Sequence, residues 1–147
     1  MNNLVDNKTQ ITISDIKNEA KKRLDDNWAF VQLMALKTSR SYDLIYTYRK
    51  DNILENIVIK DIKQDEPIES ITDYYFQAFV FENEINDLYG LNVVNIAIDF
   101  KGNFFKTKIK HPMSTWSDEY IKRSEQQKKI KAAMEAKKKA QNIKEGV

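Results

Sequence analysis

Hydrophobic positions recur along the first half of the chain with two different periods. Ile13, Ile16, Ala20 and Leu24 follow at three- and four-residue spacing behind Thr12 and Ser14, either of which can cap a helix start. That pattern predicts a first helix with one apolar stripe to lay on a sheet. The next run, Trp28 to Leu36, is apolar on both alternate sets: Trp28, Phe30, Met34 and Leu36 on one side, Ala29, Val31, Leu33 and Ala35 on the other. Such a run predicts a central strand covered on both faces. Tyr42, Leu44, Tyr46 and Tyr48 then alternate with Asp43, Thr47 and Arg49, and a Lys50-Asp51-Asn52 turn leads into Ile53, Ile57 and Ile59. The expected product is an antiparallel three-stranded meander. Most of the seven Tyr and seven Phe lie in these elements and in the helix that follows, where core packing is the expected role rather than ligand or base stacking.

Pro67 closes a polar loop, and Ser70 followed by Asp73 makes an acidic variant of the capping box for a second helix. The helical period runs through Ile71, Tyr74/Tyr75, Ala78, Phe81/Glu82, Ile85 and Leu88/Tyr89 to Gly90, a left-handed stop, giving a helix of about five turns. It carries Glu82 on the apolar stripe and Glu84 and Asp87 together on another face. Like charges at i,i+3 repel by a few tenths of a kcal/mol, so a partner donor, a buried backbone group or a basic residue is expected to offset them. Beyond Gly90, Val94, Ile96, Ile98 and Phe100 precede a Lys101-Gly102-Asn103 turn and Phe104-Phe105, the pattern of a short hairpin. The fold class predicted is α+β: an N-terminal helix, an antiparallel three- to four-stranded sheet, an acidic second helix and a C-terminal helical extension.

Composition narrows the chemistry. The chain has 147 residues, 24 Lys+Arg against 22 Asp+Glu, one His and no Cys, which fits one soluble domain with a modest core. Uncharged stretches such as Asn27 to Leu36 reach only about half the ~20 residues a membrane helix needs. Without a basic-then-apolar leader or cysteines, a cytosolic chain is expected. A zinc site or a Cys-ligated cluster would need ligands this chain lacks, and His111 reads as a pre-proline loop residue. No Gly-rich phosphate loop or Ser/His/Asp set is present, and three neighbouring carboxylates on one helix provide no opposed pair for hydrolysis.

Charge is uneven along the chain. Ser117 to Val147 holds nine Lys/Arg and five Asp/Glu, whereas Met1 to Trp116 is net acidic, so the chain divides into a domain at 1–116 and a Lys-rich extension at 117–147. The extension is built of strong helix formers, but only Ile130 and Met134 stand at i,i+4, so a protruding or frayed helix is expected. Its Lys137, Lys138 and Lys139 can contact phosphates or anionic lipid, and a nucleic-acid-binding protein using this tail is the reading from a different class. The acidic body argues against it.

The run Ser70-Ile71-Thr72 followed by FENEINDLYGLNV at Phe81–Val93 resembles the thirty-kilodalton subunit family of respiratory complex I. Within it the chain looks most like the short relatives in membrane-bound, energy-converting nickel-iron hydrogenases of the Ech type. The family pattern, Glu-x-Glu-apolar-x-Asp-apolar-aromatic-Gly-apolar, falls on Glu82, Glu84, Ile85, Asp87, Leu88, Tyr89, Gly90 and Leu91. The resemblance is firm over about Ile68 to Val93, weaker over Ile11 to Ile62, and does not cover the tail. Two departures stand out. Asn83 occupies a position where many members carry Arg, which puts that Arg's ion pair in doubt, and NVVNIAIDFKGNFFKTKI replaces the His-Pro and Arg-rich continuation of quinone-reducing relatives. His111-Pro112 lies too far downstream to substitute for it. The second departure favours the hydrogenase branch.

The resemblance implies a non-catalytic, cofactor-free subunit peripheral at the cytoplasmic face of the membrane. It would pack against a catalytic large subunit and an iron–sulfur small subunit, which carry the nickel-iron centre and the iron–sulfur clusters of a complex coupling ferredoxin oxidation to proton reduction and ion pumping. The alternative within the family is the equivalent subunit of a complex I-like dehydrogenase using NADH, quinone or ferredoxin. Glu82, Glu84, Asp87, Leu88, Tyr89 and Gly90 are the expected partner interface.

Overall fold

The computed structural model of the protein describes residues 5–114, 122–123 and 125–134. Strand β1 (Val5–Gln10) leads through a 3-10 turn (Ile13–Asp15) into α1 (Ile16–Asp25). There follow β2 (Ala29–Lys37), β3 (Tyr42–Lys50), β4 (Ile53–Ile62), β5 (Pro67–Glu69), α2 (Ala78–Tyr89) and β6 (Asn92–Val94). The main sheet has the order β1-β4-β3-β2, with the expected antiparallel meander and β1 added parallel to β4. A second, parallel pair joins β5 to β6. The architecture is α+β, with α1 and α2 supplying the helical layer.

The meander buries one face. Leu44, Tyr46 and Tyr48 of β3 and Ile57 and Ile59 of β4 meet Phe30, Leu33 and Ala35 of β2, and this surface receives Ile16 and Ala20 from α1 and Ala78 and Ile85 from α2. The central strand expected at Trp28 to Leu36 is instead the edge strand β2. A register shift between Phe30 and Gln32 moves one parity onto the other, so that Phe30, Leu33 and Ala35 share the core face. Val31, Met34 and Leu36 are left exposed on the opposite side.

The stripe of α1 also differs from expectation. Ile16 and Ala20 are buried, but Leu24 is 42% exposed and Arg23 takes the inward position. A guanidinium is tolerated there because Glu19 and Glu55 pair with it. Thr12 gives no side-chain cap to the backbone; its hydroxyl donates to Asp15 Oδ2 at 2.5 Å.

Helix α2 is shorter than its periodicity suggested. The stretch 71–77 forms successive turns, with Tyr75 N–H donating to Ile71 C=O and Ala78 N–H to Tyr75 C=O, and regular helix begins only at Ala78. Ser70 therefore caps nothing, and Asp73 pairs with Lys17 at 2.8 Å. The far end behaves as expected: Gly90 adopts φ 69°, its N–H donating to Asn86 C=O and that of Leu91 to Ile85 C=O. Residues 95–109 contain no strand, so the expected hairpin is absent and Val94 pairs with Glu69 in β6–β5, although the Lys101-Gly102 turn is present with φ 52° and 78°.

The C-terminal carbonyls of α2 are satisfied by side chains from later segments. Tyr89 C=O accepts from Ser114 Oγ at 2.6 Å and from Gln64 Nε2 at 2.8 Å, and His111 Nδ1 lies 3.2 Å from Asp87 C=O. These groups crowd Gly90, where an added Cβ would sit 2.6 Å from Gln64 Nε2 and 2.7 Å from the His111 ring. Gly90→Ala is therefore expected to cost about 2–4 kcal/mol, the left-handed backbone accounting for roughly 1–2 kcal/mol. Adding His111→Ala should recover only the imidazole's share of the steric cost, since Gln64 Nε2 stays in place, and this should be visible as non-additivity in urea unfolding.

Contacts divide the chain into Met1–Ser114 and Thr115–Val147. In the second unit residues 125–134 are helical, with Ile130 and Met134 exposed, while Lys137, Lys138 and Lys139 fall outside the described residues. Among the described residues no helix is long and apolar enough to cross a membrane.

Candidate functional site

Three polar side chains of α2 face inward, and each ties a separate piece of backbone to the helix. Glu82 shares the apolar stripe of Ala78 and Ile85, as its spacing predicted, and is completely buried. Its Oε2 accepts from Ser70 Oγ at 2.6 Å and its Oε1 from Ile71 N–H at 2.8 Å. Ser70 Oγ in turn accepts from Thr72 N–H, and Thr72 Oγ1 accepts from Ala97 N–H at 3.0 Å. The Ser-Ile-Thr run is thus a latch between α2, the end of β5 and the chain after β6. Burial pushes the Glu82 carboxyl above the usual carboxylate range, opposed by the bonds from Ser70 and Ile71.

Asn83 is 1% exposed and works in both directions. Its amide donates to Phe79 C=O at 2.7 Å and Ile98 C=O at 2.8 Å, and its Oδ1 accepts from Phe100 N–H at 2.9 Å. An arginine has no acceptor and could not make the last of these bonds. The departure from the family pattern at this position is therefore a backbone clamp, a role the sequence reading missed. One turn on, Asp87 Oδ2 accepts from Phe105 N–H at 2.7 Å.

Within the chain, the Phe105 backbone N–H is thus a donor that offsets the Glu84–Asp87 repulsion. Of the six residues expected to meet a partner, Glu82 and Asp87 have inward carboxylates already engaged. The helical period that places Glu82 with Ala78 and Ile85 also turns residues 83 and 87 towards the chain at 98–105. Glu84, Leu88, Tyr89 and Gly90 are half-buried. Tyr89 packs edge-on against Tyr42 with ring centroids 6.2 Å apart. Asp87 Oδ1 is buried with no hydrogen-bond partner among the described residues.

Two Asp87 variants separate shape from charge. Asp87→Asn keeps an acceptor for Phe105 N–H and should change stability by less than about 1 kcal/mol, whereas Asp87→Ala strands that N–H and should cost about 1–3 kcal/mol. Amide exchange read at Phe105 should accelerate in the alanine variant and stay slow in the asparagine variant. Equal exchange in both would remove Asp87 from the clamp.

Together, Glu82, Asn83 and Asp87 fasten three stretches of backbone to α2. Among the described residues no group of three or more His, Asp or Glu side chains is placed to hold a metal ion. His111, the chain's single imidazole, lies over the end of α2.

No curated protein sequence matches the chain. A subunit of the membrane-bound sulfane sulfur reductase, an archaeal respiratory membrane complex, superposes with a TM-score of 0.64 at 11% identity, covering 76% of this chain and 69% of that one. The trypsin-resistant fragment (1–134) of Nqo5 superposes with a TM-score of 0.53 at 14% identity, covering 62% of this chain and 80% of the fragment. At these identities the likeness is one of fold. The sequence model of the family described as respiratory-chain NADH dehydrogenase, 30 kDa subunit, matches residues 9–115, a span that contains the meander, the Ser-Ile-Thr latch and the whole acidic helix. The chain belongs to that family.

Proposed function

We propose that this chain is a structural and assembly subunit in the peripheral arm of a membrane-bound, energy-converting nickel-iron hydrogenase, at the cytoplasmic face of the membrane. In this reading it holds no cofactor, and it docks on the catalytic large subunit and the iron–sulfur small subunit, which carry hydrogen activation and electron transfer from ferredoxin. The observation that supports it most directly is the use of the family's acidic motif: Glu82 and Asp87 hold backbone N–H groups of this same chain. The hydrogenase branch rests on the NVVNIAIDFKGNFFKTKI segment after Gly90. A second reading, the same subunit in a complex I-like dehydrogenase, is favoured by the family's description as an NADH dehydrogenase subunit.

The test is affinity purification of the native assembly through this chain, with the associated subunits identified and nickel and iron measured. Nickel with a large subunit supports the hydrogenase. Iron without nickel, together with NADH or ferredoxin oxidation, moves the chain to the dehydrogenase. Recovery of the chain with no other subunit would overturn both.

A further inference from the structure

Residues 98–109 form neither helix nor strand, yet their backbone is fixed at several points. Asn83 clamps Ile98 and Phe100, Asp87 clamps Phe105, and Asn103 N–H closes a turn onto Phe100 C=O at 3.0 Å. Two buried polar side chains of the acidic helix thus serve to hold a segment whose side chains are exposed, apart from the half-buried Phe104, against whose ring those of Phe100 and Phe105 pack. Ile98, Phe100, Phe105 and Ile109 are 40–48% exposed. Lys101, Lys106, Lys108 and Lys110 stand among them, all exposed, with Asp99 as the one acid of the segment. Elsewhere the body Met1–Trp116 carries more acidic than basic residues, so this patch is locally cationic.

Apolar anchors on a clamped backbone, ringed by like charges, have the anatomy of a protein-binding surface, in which an apolar centre is bordered by a polar rim. Fixing the segment in advance lowers the ordering cost of binding. A bilayer fits less well: irregular backbone is not tolerated in hydrocarbon, and the anchors include no Trp or Tyr of the kind that marks a membrane interface. We infer that residues 98–110 dock into an apolar recess of a partner protein whose rim carries Asp and Glu side chains facing Lys101, Lys106, Lys108 and Lys110. This rests on the proposed function only in taking that partner to be a subunit of the same assembly.

The experiment compares lysine acetylation, residue by residue, in the native assembly and in the isolated full-length chain, and adds zero-length carbodiimide cross-linking of the assembly. The four lysines are expected to acetylate roughly tenfold more slowly in the assembly, as residues bordering an interface do, and to cross-link to carboxylates of one partner chain. The double variant Phe100→Ser/Phe105→Ser should keep the melting behaviour of the free chain and weaken assembly by about thirtyfold or more, the loss expected of a hot-spot pair. Equal acetylation in both states, or normal assembly by a folded double variant, would overturn the inference. So would binding of the free chain to phosphatidylglycerol vesicles through these lysines, which would assign the patch to lipid. Absence of nickel with the lysines still protected would remove the hydrogenase reading and leave this interface standing.

Discussion

Arg23→Ala is expected to lower stability by about 3 kcal/mol. Arg23 is 7% exposed, and its guanidinium forks onto Glu55 at 2.5 and 2.7 Å while Nε donates to Glu19 at 2.7 Å. It also lies 4.7 Å from the centre of the Trp28 ring. Breaking a fully buried charge pair costs roughly 3–5 kcal/mol, but both acids here keep a solvent edge, so the lower end applies. Arg23→Lys should recover little, since an ammonium cannot reproduce the two-pronged contact. Arg23 holds the Glu55 carboxyl below its usual range. A depressed folded pKa contributes stability above the unfolded value of about 4.5 and loses it as pH falls. The difference between wild type and Arg23→Ala in urea midpoint should therefore narrow from pH 7 to pH 3.5. A gap that does not change with pH would mean that Glu55 titrates alike in both proteins.

Why this network was invisible in the sequence, while the meander was plain, comes down to distance along the chain. The alternation of Tyr42, Leu44, Tyr46 and Tyr48 and the turn at Asp51, which takes φ 52°, are local signals, and the sheet follows them. Gly90 likewise announces the end of α2 by its own conformational freedom. The Arg23–Glu55 pair joins a helix to a strand 32 residues on, and periodicity alone assigned the inward position to Leu24. Strand β1 escaped notice because Val5–Gln10 is almost wholly polar; it is held by parallel pairing to β4 and by Thr9 Oγ1 donating to Glu55 at 3.0 Å. In β2 a single inserted residue defeated the parity argument. The acidic helix shows the same division. Its stripe correctly buried Glu82, but the N–H groups that Glu82 and Asp87 hold lie 11 and 18 residues away, and no pattern along the chain points to them.

Glu82 should show the other large effect, and its pH dependence runs opposite to that of Arg23. Glu82→Ala removes the acceptor of Ile71 N–H, frees Ser70 and leaves a void in a completely enclosed site. An unsatisfied buried donor costs about 1–3 kcal/mol and a large-to-small core change about 2–5 kcal/mol. Relief from burying a carboxylate offsets part of this, for a net loss of about 3 kcal/mol. Glu82→Gln keeps the shape, and its carbonyl still accepts from Ile71 while its amide donates to Ser70 Oγ, so the cost near pH 4 should be about 1 kcal/mol. Because burial raises the folded pKa of Glu82, the stability linked to its protonated form is complete below the unfolded value of 4.5 and is lost as pH rises through the raised one. Glutamine does not titrate. Wild type should therefore lose stability relative to Glu82→Gln as pH rises from 4 to 7, so that the two curves approach or cross; the Arg23–Glu55 term is common to both and cancels. Urea titrations at several pH values read this difference directly. A constant gap would show that Glu82 is as free to ionise in the folded chain as in the unfolded one. A loss under about 1 kcal/mol in Glu82→Ala would mean that the latch on Ser70 and Ile71 does not hold the fold.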